Sequence, residues 1–143
     1  MLRACAGLPE VAARATAQAA AFESAAPFER YLERFINFMR SPAYDPELDI
    51  VAVDPQGRVG AFCIVWPDLV NKVGLFEPVG THPDFQRKGL GRAAMLEGMQ
   101  RLQARGMNTA IVSTGEYNLP AIKLYEALGF TLVKRLGTYV KDV

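Results

Sequence analysis

Cysteine, histidine and tryptophan are scarce in this 143-residue chain, which has two, one and one of them respectively. Cys5, Cys63 and His82 are too few for a cysteine–histidine metal cluster or a disulfide framework, so no metal is expected and the thiols read as reduced. An excess of charge of one sign is also missing. Lys plus Arg total 16 against 15 Asp plus Glu, and without a global basic field nucleic acid is not an expected partner. No apolar run approaches the roughly 20 residues that cross a bilayer, so no membrane partner is expected either. The start, MLRACAGLPEVAARATAQAAAF, is alanine-rich but interrupted by Arg3, Glu10 and Arg14. It has no clean hydrophobic region of a secretory signal, and Glu10 and Glu23 speak against an organellar presequence. The expectation is a cytoplasmic chain.

What is present is enough apolar material for a core: half the residues are hydrophobic and 22% are charged, which excludes wholesale disorder. The length suits one domain, with residues 1–47 as a helical N-terminal part and 48–143 as its main body. Residues 8–23 are helix formers without a strong apolar stripe, ended by Ala26-Pro27. Phe28, Tyr31, Leu32, Phe35, Ile36 and Met39 then recur at three- and four-residue spacing, which predicts an amphipathic helix. From residue 48 the period changes. Residues 48–53 and 59–66 read as strands joined by the turn Asp54-Pro55-Gln56-Gly57, and residues 73–81 as a third strand containing Pro78. A polar loop, 82–88, leads into a helix over 89–105, closed by Gly106. Residues 109–113 read as a short strand. Asn118 caps a helix to about residue 128, with Pro120 in its first turn and Gly129 past its end. Residues 130–141 read as strand-like. Interleaved helices and strands predict an α/β class, with one mixed sheet flanked by helices.

The informative stretch is Gln86-Arg87-Lys88-Gly89-Leu90-Gly91-Arg92-Ala93, between a strand and a helix. Glycines allow a tight backbone there, and the amides of a helix N-terminus together with its dipole make an anion site that suits a pyrophosphate. Gly89-Leu90-Gly91-Arg92-Ala93-Ala94 also matches the glycine pattern of a dinucleotide fold, and Glu116 lies near where a ribose-binding acid would follow. Against that reading, residues 82–88 separate the strand from Gly89, whereas the dinucleotide turn follows its strand directly. Only one strong strand–helix–strand unit is present.

The segments VGTHPDFQRKGLGRAAM (79–95) and NLPAIKLYEALGF (118–130) resemble two ordered motifs of the GNAT superfamily of acyl-CoA-dependent N-acetyltransferases. The resemblance covers residues 48–135 well and is loose before them. It implies that acetyl-CoA is the cosubstrate, that its pyrophosphate sits on backbone amides of Arg87, Lys88, Gly89, Gly91, Arg92 and Ala93 with Gln86 opening the loop, and that its pantetheine arm lies along Val79, Gly80 and Thr81. It places Asn118 against the pantetheine region and Tyr125 as proton donor to the leaving thiolate, a role that suits a phenol protonated at neutral pH. Glu77, the only acid between Leu69 and Thr81, is the candidate base, on the expectation that partial burial raises its pKa. His82 reads as a loop residue and Cys63 as a small core residue, and the resemblance implies direct transfer in a ternary complex. The acceptor, a primary amine of a small molecule or peptide, would meet residues 22–44 and 136–143, with Trp66 and Phe76 as walls. Phe28, Tyr31 and Phe35 read first as core.

The family begins with a β-strand, and none is legible here. An open sheet edge is a pairing site, so a homodimer is expected. The alternative reading of function is a non-catalytic acyl-CoA-binding module or sensor.

Overall fold

The Asp54 turn folds the first hairpin. Its carboxylate Oδ1 accepts from the amides of Gln56 and Arg58, and Gly57 supplies the positive φ of 81° that such a turn needs. The computed structural model of the chain describes residues 1–137 and 139–141, and it comprises two units, Met1–Ser113 and Thr114–Val143.

The first unit holds β1 (Leu2–Ala4), α1 (Val11–Ala21), α2 (Phe28–Met39), β2 (Asp49–Val53), β3 (Val59–Asp68), β4 (Val73–Thr81), α3 (Leu90–Ala104) and β5 (Thr109–Val112). The five strands form one sheet in the order β1-β2-β3-β4-β5. Strands β1 to β4 pair antiparallel, and β4 pairs with β5 in parallel. Successive side chains of a strand alternate faces, and on β3 this separates the helices. The Phe62 ring meets Arg14 of α1, while the Cys63 Sγ approaches the Ala94 carbonyl of α3 at 3.3 Å. The core, including Ile50, Val51, Phe62, Ile64, Phe76 and Met95, is fully buried between these layers.

The expected absence of a first strand is corrected. Strand β1 is present and pairs Leu2 with Ala52, Arg3 with Val51 and Ala4 with Ile50. Three residues, one of them charged, are too short to display a period; the strand exists because β2 offers a partner. Cys5 donates its amide to the Asp49 carbonyl at 2.7 Å, and Val53 donates to Met1 at 2.8 Å. Arg3 and Glu10 form an ion pair at 2.5 Å that ties the strand to the segment before α1. The N-terminal part is therefore a strand and two helices, and the open β2 edge that suggested a dimer is occupied by β1.

The second unit contains α4 (Leu119–Ala127). The Asn118 Oδ1 accepts the Ala121 amide at 3.3 Å, and Gly129 follows the helix with φ at 88°, as the capping pattern requires. The strand read over 130–141 does not form among the described residues, which have no regular structure there. Alternating apolar residues make a strand only when another strand takes up their backbone groups. Thr138, within that reading, lies outside the described residues, as do Asp142 and Val143 of the expected acceptor region.

Candidate active site

Strand β4 loses one of its two partners at its middle. Its parallel pairing with β5 runs from Val73↔Thr109 to Phe76↔Val112 and goes no further among the described residues. Its pairing with β3 slips at the same place, since Val65 faces Phe76 while Cys63 faces Val79. Glu77 and Pro78 thus stand opposite the single residue Ile64, which is a β-bulge. Pro78 has no N–H to give to a ladder. Beyond the bulge, Val79, Gly80 and Thr81 are half-buried and still pair with β3. Their other edge is free of β5, so an extended polar chain can lie along it.

From Thr81 the chain reaches α3 through a shaped loop. The His82 Nδ1 accepts the Asp84 amide at 3.2 Å and begins a 3₁₀ turn over Pro83–Phe85. Phe85 is buried against Gly60, whose missing Cβ leaves room for its ring. Lys88 donates to the Asp84 carbonyl at 3.3 Å. Arg87 and Gly89 both have positive φ, 63° and 74°, and α3 starts immediately after. The amides of Leu90, Gly91 and Arg92 have no hydrogen-bond partner among the described residues, as the first turn of a helix leaves them. Nothing lies within 4 Å of where a Gly89 Cβ would stand. Arg87, Lys88 and Arg92 are exposed around this cradle, and Gln86 opens it. Ala93 differs from expectation: its amide donates to the Gly89 carbonyl at 3.0 Å. It is committed to the helix, not to an anion.

The other candidates fall as follows. Glu77 is exposed, contrary to the burial expected of it. Phe76 is 1% exposed and packs on Gly98 of α3, so it is core and not a wall. Phe35 is buried. Trp66 is half-buried, and its Nε1 donates to the Glu77 carbonyl at 2.6 Å. Asn118 and Tyr125 belong to the second unit. The Tyr125 ring packs edge-on to Phe130 at 6.1 Å, and burial holds its hydroxyl above the ordinary value near 10, so it stays protonated. Among the described residues no group of His, Cys, Asp and Glu is arranged to hold a metal ion.

One network was not foreseen. Arg14 and Asp49 are both 0% exposed and meet at 2.9 Å. The Arg14 guanidinium also lies 3.9 Å from the Phe62 ring centroid and donates to Gln18 at 3.0 Å. The Tyr44 hydroxyl donates to the second Asp49 oxygen at 2.9 Å. Burial pushes the Asp49 carboxyl above its usual range, with Arg14 and Tyr44 pulling it back. A lone acid opening an apolar strand was the available signal, and an arginine amid the alanines of α1 its counterpart.

The sequence model of the acetyltransferase (GNAT) family matches residues 13–130. The chain belongs to the GNAT acetyltransferase family. Among curated relatives it is 37% identical over 103 residues to the mycothiol acetyltransferase of Thermobifida fusca (strain YX), a match covering 65% of this chain and 31% of that one. It is 33% identical over 98 residues to the ribosomal protein bS18-alanine N-acetyltransferase of Escherichia coli (strain K12), covering 68% of this chain and 56% of that one. The chain thus spans about a third of the length of the mycothiol acetyltransferases and about half that of the ribosomal-protein enzyme. Among solved structures, an aminoglycoside N-acetyltransferase in complex with a CoA bisubstrate analogue superposes with a TM-score of 0.78 at 17% identity, covering 100% of this chain and 98% of that one. The ribosomal-protein alanine N-acetyltransferase of Escherichia coli superposes with a TM-score of 0.75 at 23% identity, covering 94% and 79%. At these identities the superpositions establish the GNAT α/β fold with its mixed sheet.

Proposed function

We propose that this GNAT chain is one domain that transfers an acetyl group from acetyl-CoA to a primary amine of a small molecule or peptide. The observation that carries the reading is the parting of β4 from β5, followed along the same chain by the open amides of the α3 N-terminus. One offers an unpaired strand edge to an extended amide-bearing arm. The other offers N–H donors and a helix dipole to a pyrophosphate. Pantetheine would lie along Val79, Gly80 and Thr81. The diphosphate would take the cradle from Gln86 to Arg92, with Arg87, Lys88 and Arg92 adding charge. Ala93 would only start the helix, and Asn118 would combine its cap with a cofactor contact.

In the proposed reaction the neutral amine attacks the thioester carbonyl, forming the C–N bond as the C–S bond breaks. Glu77 accepts the proton released by the amine, directly or through water, which an exposed carboxylate at the bulge permits. Tyr125 gives its proton to the departing thiolate, as the family resemblance implies, and desolvation keeps it in the protonated form. One named relative is a mycothiol acetyltransferase and the other an N-acetyltransferase of a ribosomal protein's alanine; the second fits an amine acceptor. The unpaired thiols of Cys5 and Cys63 suit a reducing cytoplasmic setting. The dimer expectation rested on an open β2 edge and is not carried into this proposal.

Thermal unfolding with acetyl-CoA, CoA, NAD and NADP tests the cofactor. A ligand at 100 times its Kd adds about 2.7 kcal/mol. Stabilisation by both CoA forms and by neither dinucleotide is expected. No stabilisation by either CoA form, in a folded sample, overturns the reading. Turnover with an amine then separates a transferase from a non-catalytic acyl-CoA binder.

A further inference from the structure

The bulge in β4 creates a local problem. A carbonyl displaced from a ladder loses its strand donor and takes another, from water or from a side chain. At Glu77 the β3 ladder has slipped, β5 has ended its pairing, and the next residue, Pro78, has no amide to hold the turn. The donor that meets the Glu77 carbonyl is a side chain from β3, the indole N–H of Trp66, at 2.6 Å. The backbone of Trp66 is itself paired with Leu75, so the indole reaches along the strand from a fixed anchor. Its ring is held in turn by Phe38 of α2, edge-on at 5.2 Å. Phe38 packs edge-on to Tyr44 at 5.7 Å, and the Tyr44 hydroxyl is fixed on the buried Asp49 at 2.9 Å. A continuous set of contacts therefore runs from the Arg14–Asp49 pair to one carbonyl at the bulge.

We infer that Trp66 is a positioning residue: its indole N–H holds the Glu77 carbonyl and so fixes the bulged turn of β4 from which the Glu77 side chain and the cofactor edge, Val79 to Thr81, both start. The part concerning catalysis rests on the acetyltransferase reading above; the clamp itself does not. Because the hydrogen bond is solvent-exposed, water can replace the indole at little cost in global stability. What its loss removes is the definition of the turn. A residue that merely packs would show the opposite pattern.

Trp66 is the only tryptophan in the chain, which makes its indole a single, unambiguous probe. In the free protein, Trp66→Phe keeps an aromatic ring against Phe38 and deletes the donor. The expected result is at least ~10-fold faster hydrogen exchange at the Gly80 amide, which faces β3, with a nearly unchanged urea midpoint. Replacing Trp66 by 5-fluorotryptophan, which keeps the N–H, should restore the slow exchange. Unchanged exchange in Trp66→Phe overturns the clamp, whether or not any cofactor binds. In ¹⁵N-labelled wild-type protein, the indole resonance should move on adding acetyl-CoA, and by a different amount with CoA, as the acetyl group reaches the bulge. An indole signal unmoved by acetyl-CoA while the Gly91 and Arg92 amides shift overturns the link to the reaction. With the amine found to support turnover, Trp66→Phe should lower kcat about 10-fold and leave KM for acetyl-CoA within about twofold. An unchanged kcat overturns the positioning role. Failure of the Gly91 and Arg92 amides to respond to either CoA form counts against the acetyltransferase reading, and the exchange measurement still decides the clamp.

Discussion

At the scale of single residues, the chemistry depends on which groups keep or lose protons, and burial decides that for several of them. Tyr125 is held above its ordinary pKa near 10 by desolvation, so its acid form persists through the neutral range. As proton donor, Tyr125→Phe should lower kcat by about 10² to 10⁴-fold without changing acetyl-CoA affinity, as single-turnover and binding measurements would show. Any alkaline loss of activity caused by Tyr125 should lie above pH ~10, the ordinary phenol value. The two thiols behave in the reverse sense for reactivity. Cys5 is buried and pushed up to about 12, and Cys63, 0% exposed, is raised further. Only the thiolate reacts appreciably, so an aromatic disulfide reagent at pH 8 should titrate no thiol in the native protein and two in urea. One fast native thiol would contradict this burial.

Single elements add constraints that no side chain carries alone. The φ of 74° at Gly89 admits a Cβ sterically, since nothing lies within 4 Å, but the left-handed backbone disfavours it by about 1–2 kcal/mol. Gly89→Ala should therefore cost about that much stability in urea unfolding and weaken CoA binding through the reshaped loop. Gly80 is constrained differently. The Phe62 ring occupies the place its Cβ would take, and Phe62 also carries the Arg14 guanidinium. Gly80→Ala should destabilise by about 1–3 kcal/mol, as overpacking does. Strand β1 has a pH dependence of its own. The Arg3 hydrogen bond holds the Glu10 carboxyl below its ordinary range. Its stabilisation is thus present above the ordinary carboxyl value and is lost as pH falls through the lowered one. Exchange of the Val53 amide, which donates to Met1, should accelerate below pH ~4, and Glu10→Gln should bring that faster exchange to neutral pH.

Over the first unit as a whole, the Arg14–Asp49 pair joins α1 to the sheet from inside. Both residues are 0% exposed, so Asp49→Ala would strand a buried guanidinium and should cost about 3–5 kcal/mol, a large part of the 5–15 kcal/mol typical of a domain. Calorimetry or urea unfolding measures it directly. This pair also marks the limit of what the sequence disclosed. The turn at Asp54, the α2 stripe, the α3 start at Gly89 and the Asn118 cap were all legible, because each follows from neighbouring residues that set one another's dihedrals or periods. The tight Arg87–Gly89 loop before α3 was legible for the same reason: it is a local arrangement of glycines before a helix. Strand β1 was not, since three residues carry no period and gain their structure from β2. The strand expected at 130–141 failed for the complementary reason, an apolar alternation with no ladder to join among the described residues. Nor could sequence show that Phe76 turns to Gly98 of α3 while Gly80, four residues on, turns to Phe62 on the opposite face, because a bulge of one residue reverses which face a side chain takes. The sequence by itself determined the helices, the hairpin and the glycine loop before α3, all of them short-range. Only the tertiary structure decided the first strand, the buried Arg14–Asp49 pair and the Trp66–Glu77 contact at the β4 bulge, because each joins groups that only the folded sheet brings together.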